Sequence, residues 1–422
     1  MFFQYVKQFK TFWEHIKVFV LELAIRLFKQ IEKNYYISIY SQLNRMKKLL
    51  LLIFVCHFFY GNIKAQNITK DYFDYIRYHG ISPIEYLSDK LHSYSVVALG
   101  EDHWIKDHPN FLCNFLSTTS KDSLTDVDIL ALEFGNNCDQ KLVDEFLKAD
   151  TYREDLVFKI LEHAPDTYGN PYLEYAKIFQ TVWETNRLKS PKRKIRIILL
   201  DPEYVQANMD GEKFVYTGSR DDNMFSIIRN YIMNKQHVLF YGGAAHTQAQ
   251  IRGVKYNGSY YNFASAGYLL KKCYPKNVFI INLWGAYMGN YGYESDTQNK
   301  WLQIDNGTID KAFYMNNNKP TAFDMGGPFN NLTAKQYYAN PLNPNYWGSD
   351  TELDSPYNAN ILMKDWIDGI IFIGPVSEFT GQTLINIYDD DFLKNIEKRS
   401  KGQLKTSEEV LEYLRKIHPI LQ

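Results

Sequence analysis

Cysteine is scarce, with four in 422 residues. Only Cys113, Cys138 and Cys273 lie beyond the N-terminal apolar segment, and no two of them have metal-ligand spacing. At most one disulfide fits, so these thiols read as core or site-wall residues and not as ligands. Excess charge of either sign is also missing. Lys and Arg number 47 against 48 Asp and Glu, a formal net of -1, which argues against a nucleic-acid partner. No apolar run reaches the roughly 20 residues of a permanent membrane-spanning helix. No Gly-x-Ser-x-Gly turn occurs, so no serine nucleophile is expected on one. There is no internal repeat and no low-complexity linker.

What is present is ordinary in amount and unusual in kind. Hydrophobic residues make up 45% and charged residues 23%, as in globular proteins. Aromatics reach 16%, with 33 Tyr and 27 Phe; such surfaces bind sugars or flat ligands, but composition bias explains them better. Met46-Lys47-Lys48 precedes an apolar run from Leu49 to Phe59, broken only by His57, and a polar stretch ends at Ala65-Gln66. A basic start, an apolar centre and a small residue at the boundary make a signal peptide, with cleavage after Ala65 and a secreted or periplasmic mature chain. Residues 1–45 then read as an over-extended start. The alternative is an interfacial helix built on Phe12, Trp13, Ile16, Phe19 and Val20.

Residues 66–422 read as one α/β domain. Short Val/Ile/Leu runs predict strands at Ser95–Leu99, Ile129–Glu133, Ile195–Leu200, His237–Tyr241, Val278–Leu283 and Gly369–Ile373, each apolar enough to be buried on both faces of a parallel sheet. Helical patterns separate them at Pro109–Leu116, Asp139–Leu147, Tyr172–Leu188, Asp222–Met233 and Ala264–Cys273. This alternation implies a layered, mostly parallel sheet flanked by helices. About 287–365 the chain turns rich in Asn, Gly, Tyr and Pro, and reads as a long irregular insertion before the last strand, placed to cover a site. Ser407–Ile417 reads as a capped terminal helix.

Ligands of open α/β sheets bind beyond the carboxyl ends of the strands, so the residues that follow each strand matter most. Gly100-Glu101-Asp102-His103 follows the first, with His108 five residues on. Glu133 ends the second, Asp201 the third, and Gly242-Gly243-Ala244-Ala245-His246 follows the fourth. Each has a structural alternative: Glu101 and Asp102 as helix caps, Asp201-Pro202 as a turn, a single His as a buried core group. Carboxylates and imidazoles converging on one edge can satisfy one another and shift each other's pKa.

These residues carry a resemblance. "VVALGEDHW" followed by "ILALEFG" resembles the opening of the erythromycin esterase family. In the same order, "VWETNR" before "IRIILLD", "RDDNM", "VLFYGGAAHTQ", "SAGYLLKKCYPKNVFIINL" and "WIDGIIFI" resemble that family's later elements. The resemblance implies a hydrolase of an ester or lactone in a small-molecule substrate. His103 is then a general base on water, Glu133 and Glu101 orient it, and His246 is a second acid/base or polarises the carbonyl. Asp201, Arg220 and His108 would support or bind substrate, without metal or other cofactor. The Gly-Glu-x-His turn here is one residue shorter than the esterase form, and is similar to the haem-uptake ChaN family of the wider group that also holds the Tiki metalloproteases. That keeps two alternatives open. One is a metal-dependent hydrolase with Glu101, His103, Glu133 and His246 as ligands of a divalent ion. The other is a haem- or iron-binding protein using His103 or His108.

Overall fold

The computed structural model describes residues 16–26, 68–118, 127–164, 168–202, 204–205, 215–216, 219–256, 259–285, 287–288, 301–338, 361–418 and 420–422. Two compact units are distinguished, Met1–Gln66 and Asn67–Gln422. In the first, residues 16–26 form a helix. The expected signal peptide, Met46–Ala65, lies outside the described residues. No helix among the described residues is long and apolar enough to cross a membrane.

The second unit is built on a seven-stranded sheet. Its strands are β1 (Val96–Glu101), β2 (Ile129–Asn136), β3 (Arg196–Asp201), β4 (Val238–Gly243), β5 (Val278–Leu283), β6 (Thr321–Asp324) and β7 (Gly369–Phe372). The spatial order is β6-β7-β5-β1-β4-β2-β3. All neighbours are parallel except β6 and β7. The six strands expected from sequence are therefore all present, shifted by a few residues at their ends. β1 shows why they read so clearly. Val97 and Leu99 enter the core on one face, Val96 and Ala98 the core on the other, and none is exposed to solvent. A strand covered on both faces has no polar alternation to break its apolar run.

Helices cover the two faces. Those that matter below are α1 (Pro83–Ser93), α2 (Asp107–Thr118), α3 (Leu173–Leu188), α4 (Arg220–Met233) and α5 (Ala266–Cys273). α3 buries Ile178, Phe179 and Val182 in one core, and α4 buries Met224 and Ile228 in the other. Edge strand β3 is blunted by a side chain. Gln140 donates to Ile197 O at 2.9 Å and accepts from Leu199 N at 3.0 Å, occupying groups that would otherwise invite a further strand.

The stretch expected to be irregular, about 287–365, is more ordered than its composition predicts where it is described. Thr308–Met315 is a helix, and β6 pairs antiparallel with β7. Ile304, Ile309, Phe313, Phe323 and Phe329 enter the second core. β6 lies at the opposite edge of the sheet from β3, so the described residues of this part extend the sheet; residues 289–300 and 339–360 of the expected cover lie outside the described residues. A four-residue strand among Asn, Gly and Pro is too short to show a period. Other elements escaped the sequence pattern, among them the helices at 68–79, Pro83–Ser93, Glu154–Glu162 and Asp390–Arg399 and a hairpin of Ile251–Tyr256 with Ser259–Ala264. Cys113, Cys138 and Cys273 are free thiols; the last two are exposed, not core groups as expected.

Candidate active site

β1 and β4 are adjacent, as are β4 and β2, so their carboxyl ends bring together residues distant in sequence. Glu101 ends β1 and is buried, 1% exposed. A buried carboxylate needs donors, and it has three. The hydroxyls of Tyr175 and Tyr241 donate to it, and His103 Nδ1 lies 3.0 Å from Oε1. Tyr175 is held by a parallel stack on Phe134, centroids 3.9 Å apart. Burial, then the adjacent carboxylate, raises both tyrosine pKa values well above the usual range, so each remains a donor.

The loop carrying His103 is pinned at several points. Trp104 adopts a left-handed φ of 68°, uncommon for a residue with a side chain. Its ring stacks on His418 at 4.3 Å, and its carbonyl accepts from Gln382 N at 2.9 Å. Lys106 N bonds Thr380 O at 2.9 Å. This fixes the His103 ring against Gly243. A Cβ on Gly243 would lie 2.8 Å from Nε2, and one on Gly242 would lie 2.8 Å from Glu133 Cβ. The two glycines are the clearance that lets both side chains meet β4. The His103 side chain is 46% exposed, so the ring reaches solvent. Its surroundings pull the pKa down by desolvation. The hydrogen bond to Glu101 and the charges of Glu133 and Glu101 outweigh that and raise it to about 9, against the charge of Arg220.

Glu133 sits where β2 loses register with β3, between Leu132 and Asn136. A bulge there re-aims a side chain at a strand end. Its Oε1 accepts from Arg220 Nη2 at 2.9 Å and lies 3.3 Å from His246 Nε2, and its Oε2 accepts from Gly243 N. Burial alone would raise its pKa. The charges of His246, Arg220 and His103, with the Gly243 N–H, hold it instead well below the usual carboxylate range. Arg220 opens α4, behind a Ser219 cap, and grips Asp201 bidentately at 2.7 and 2.9 Å. Burial pushes the Asp201 carboxyl up to about 6 despite that grip. His246 is closed on its other side as well: Nδ1 lies 2.9 Å from Asp221 Oδ1, which also accepts from Ala266 N at the start of α5.

Of the residues expected from sequence, Glu101, His103, Glu133, Asp201, Arg220 and His246 thus converge on one edge. His108 does not join them: of its two expected roles, binding substrate or supporting the site, burial leaves only the second. Its ring is fully buried, accepts from Asp102 N at 3.0 Å through Nδ1, and packs edge-on to Phe379. Burial lowers its pKa to about 4, so it is a neutral core imidazole. Sequence reasoning missed Tyr175, Tyr241 and Asp221. Tyr241 left a trace, as the one polar-tipped side chain in the run "VLFY", because a buried hydroxyl needs a partner. Asp221 stood in the "RDDNM" segment without a role, and Tyr175 left no signal.

The donor set does not suit a divalent cation. Glu101 is occupied by two hydroxyls and an imidazole, Glu133 by Arg220, His246 and a backbone N–H, and the Arg220 guanidinium would repel a metal. Among the described residues no group of three or more His, Cys, Asp or Glu is arranged to hold one.

No family model matches the chain, and no curated protein does. Several solved structures are similar to it at low identity. A succinoglycan biosynthesis protein is similar over 75% of this chain and 98% of its own, at 12% identity and a TM-score of 0.45. An erythromycin esterase mutant in its open conformation is similar over 68% and 92%, at 10% identity and 0.40. The haem-binding ChaN of Campylobacter jejuni is similar over 50% and 87%, at 15% identity and 0.28.

Proposed function

We propose that this chain is a hydrolase that cleaves an ester or lactone bond of a small-molecule substrate with water, and without a metal or other cofactor. The observation that carries the reading is the His103–Glu101 pair. One ring nitrogen is fixed on a buried carboxylate, and the ring itself is nearly half exposed beside Gly243. That is the geometry of a general base with its orienting group. Neutral His103 takes a proton from water through Nε2 as the water oxygen bonds to the carbonyl carbon. The imidazolium then returns the proton to the departing alkoxide as the carbon–oxygen bond breaks. The products are a carboxylic acid and an alcohol, joined in one molecule when the substrate is a lactone.

The other residues shape the field around this pair. Glu133 supplies a fixed negative charge, and Arg220 and Asp201 hold it in place. His246 lies between Asp221 and Glu133 and serves this reading as a support, not as the second acid/base. The metalloprotease alternative asks for carboxylate oxygens that are already engaged. Of the two expected haem ligands, His108 has a fully buried ring, and a visible spectrum of the protein with added haem tests His103.

A panel of aryl and alkyl esters and lactones, assayed with purified protein, tests the proposal. Turnover should survive a strong chelator. General-base contributions run about 10²–10⁴-fold, and His103→Ala should lose that much. Loss of wild-type activity in the chelator, with recovery on added metal, would replace the reading. We also propose export, on the Met46–Ala65 pattern: terminal sequencing of secreted protein should begin at or near Gln66, and a retained residue 1 would refute it.

A further inference from the structure

We propose that the edge of the sheet opposite the candidate site docks on an anionic phospholipid surface. The chain as a whole is near neutral, yet Arg187 to Arg196, "RLKSPKRKIR", holds six cations and no acidic residue. This segment joins the end of α3 to the start of β3, so it lies at the amino ends of the strands, away from His103 and Glu133. Lys192, Arg193, Lys194 and Arg196 are exposed. The loop is held rigidly. The buried Asn186 side chain donates to Ile195 O at 2.8 Å and accepts from Ile195 N at 2.7 Å, which clamps the basic turn against α3.

Two further features separate a lipid surface from other polyanions. Leu188, within the basic run, is 70% exposed, and Met233, the last residue of α4, is 66% exposed. The segment that follows α4 passes close by: Asp128 N donates to His237 O at 3.0 Å, and Arg196 N donates to Asp128 O at 2.9 Å. Apolar side chains set among cations suit a headgroup layer, where the charge meets phosphate and the apolar group enters the acyl boundary. Beside the loop lies a groove of about 570 Å³ walled by Lys148, Arg187, Lys194 and Arg196. Its acidic members are Asp144 and Asp150, of which Asp144 lies 3.6 Å from Arg196, so a positive excess remains for a headgroup phosphate. Docked in this way, the His103 edge faces away from the membrane.

The test is co-sedimentation of the full chain with vesicles of phosphatidylglycerol in phosphatidylcholine, and with phosphatidylcholine alone. The comparison is with the triple variant Lys192→Ser, Arg193→Ser, Lys194→Ser. Each basic residue near an anionic leaflet contributes about fivefold to binding, so the variant should lose roughly a hundredfold of the phosphatidylglycerol-dependent part. Added salt should weaken wild-type binding. Leu188→Ser should weaken it further at fixed salt. Unchanged melting of the variants shows that only the surface has altered. Equal binding to both vesicle types, equal binding by wild type and triple variant, or binding to single-stranded RNA with none to vesicles would each overturn the proposal.

Discussion

His103 and His246 leave neighbouring strands of one sheet, and each rests a ring Nδ1 near a carboxylate, yet they live in different surroundings. His103 sits in a loop, 46% exposed, with one carboxylate directly bonded. His246 is 13% exposed and lies between two, Asp221 at 2.9 Å and Glu133 at 3.3 Å. The lesson is that a strand-end histidine is not defined by its position. An imidazole with one fixed nitrogen and an open side can exchange protons with a bound molecule. An imidazole closed on both nitrogens holds its neighbours in place. The same division runs through the carboxylates. Glu101 is satisfied by two neutral hydroxyls and one titratable ring, whereas Glu133 and Asp201 depend on the permanent cation of Arg220.

The largest expected effect breaks the closed half. Arg220→Ala leaves Asp201 and Glu133 buried without their shared cation. Breaking a buried pair costs about 3–5 kcal/mol, enough to bring an ordinary domain near its threshold. Denaturant melts should show that loss for Arg220→Ala and a smaller one for His103→Ala, because Glu101 keeps the two tyrosine hydroxyls as donors and the lost ring is partly exposed. Equal destabilisation by the two changes would erase the distinction between the halves.

This contrast also explains what the sequence disclosed. The six parallel strands were legible because two-sided burial makes each an unbroken apolar run. The site edge was legible because Glu101, Glu133, Asp201 and His246 sit at or just after the ends of such runs. The partnerships were not legible. Tyr175 reaches Glu101 from a helix 74 residues away in sequence, and nothing along the chain marks it. His108 reads like His103 in sequence, but the strand–loop–helix turn places one ring at the surface and the other in the core. β6 stayed hidden because an antiparallel edge strand of four residues carries no period of its own.

The smallest expected effect sharpens the open half. With a pKa raised to about 9, His103 is an imidazolium at neutral pH, and only its neutral form can take a proton from water. Activity should therefore rise about tenfold per pH unit from neutrality and level off near 9. Tyr241→Phe removes one of the donors that stabilise the Glu101 carboxylate. A less satisfied carboxylate holds the His103 proton more strongly, so the midpoint should move further up, by a few tenths of a unit to about one, since one unit is about 1.4 kcal/mol. The rate near neutrality then falls a few-fold while the plateau at high pH stays the same. A merely structural tyrosine would lower the plateau and leave the midpoint in place. A midpoint that moves down would mean that the His103–Glu101 pair is not the base.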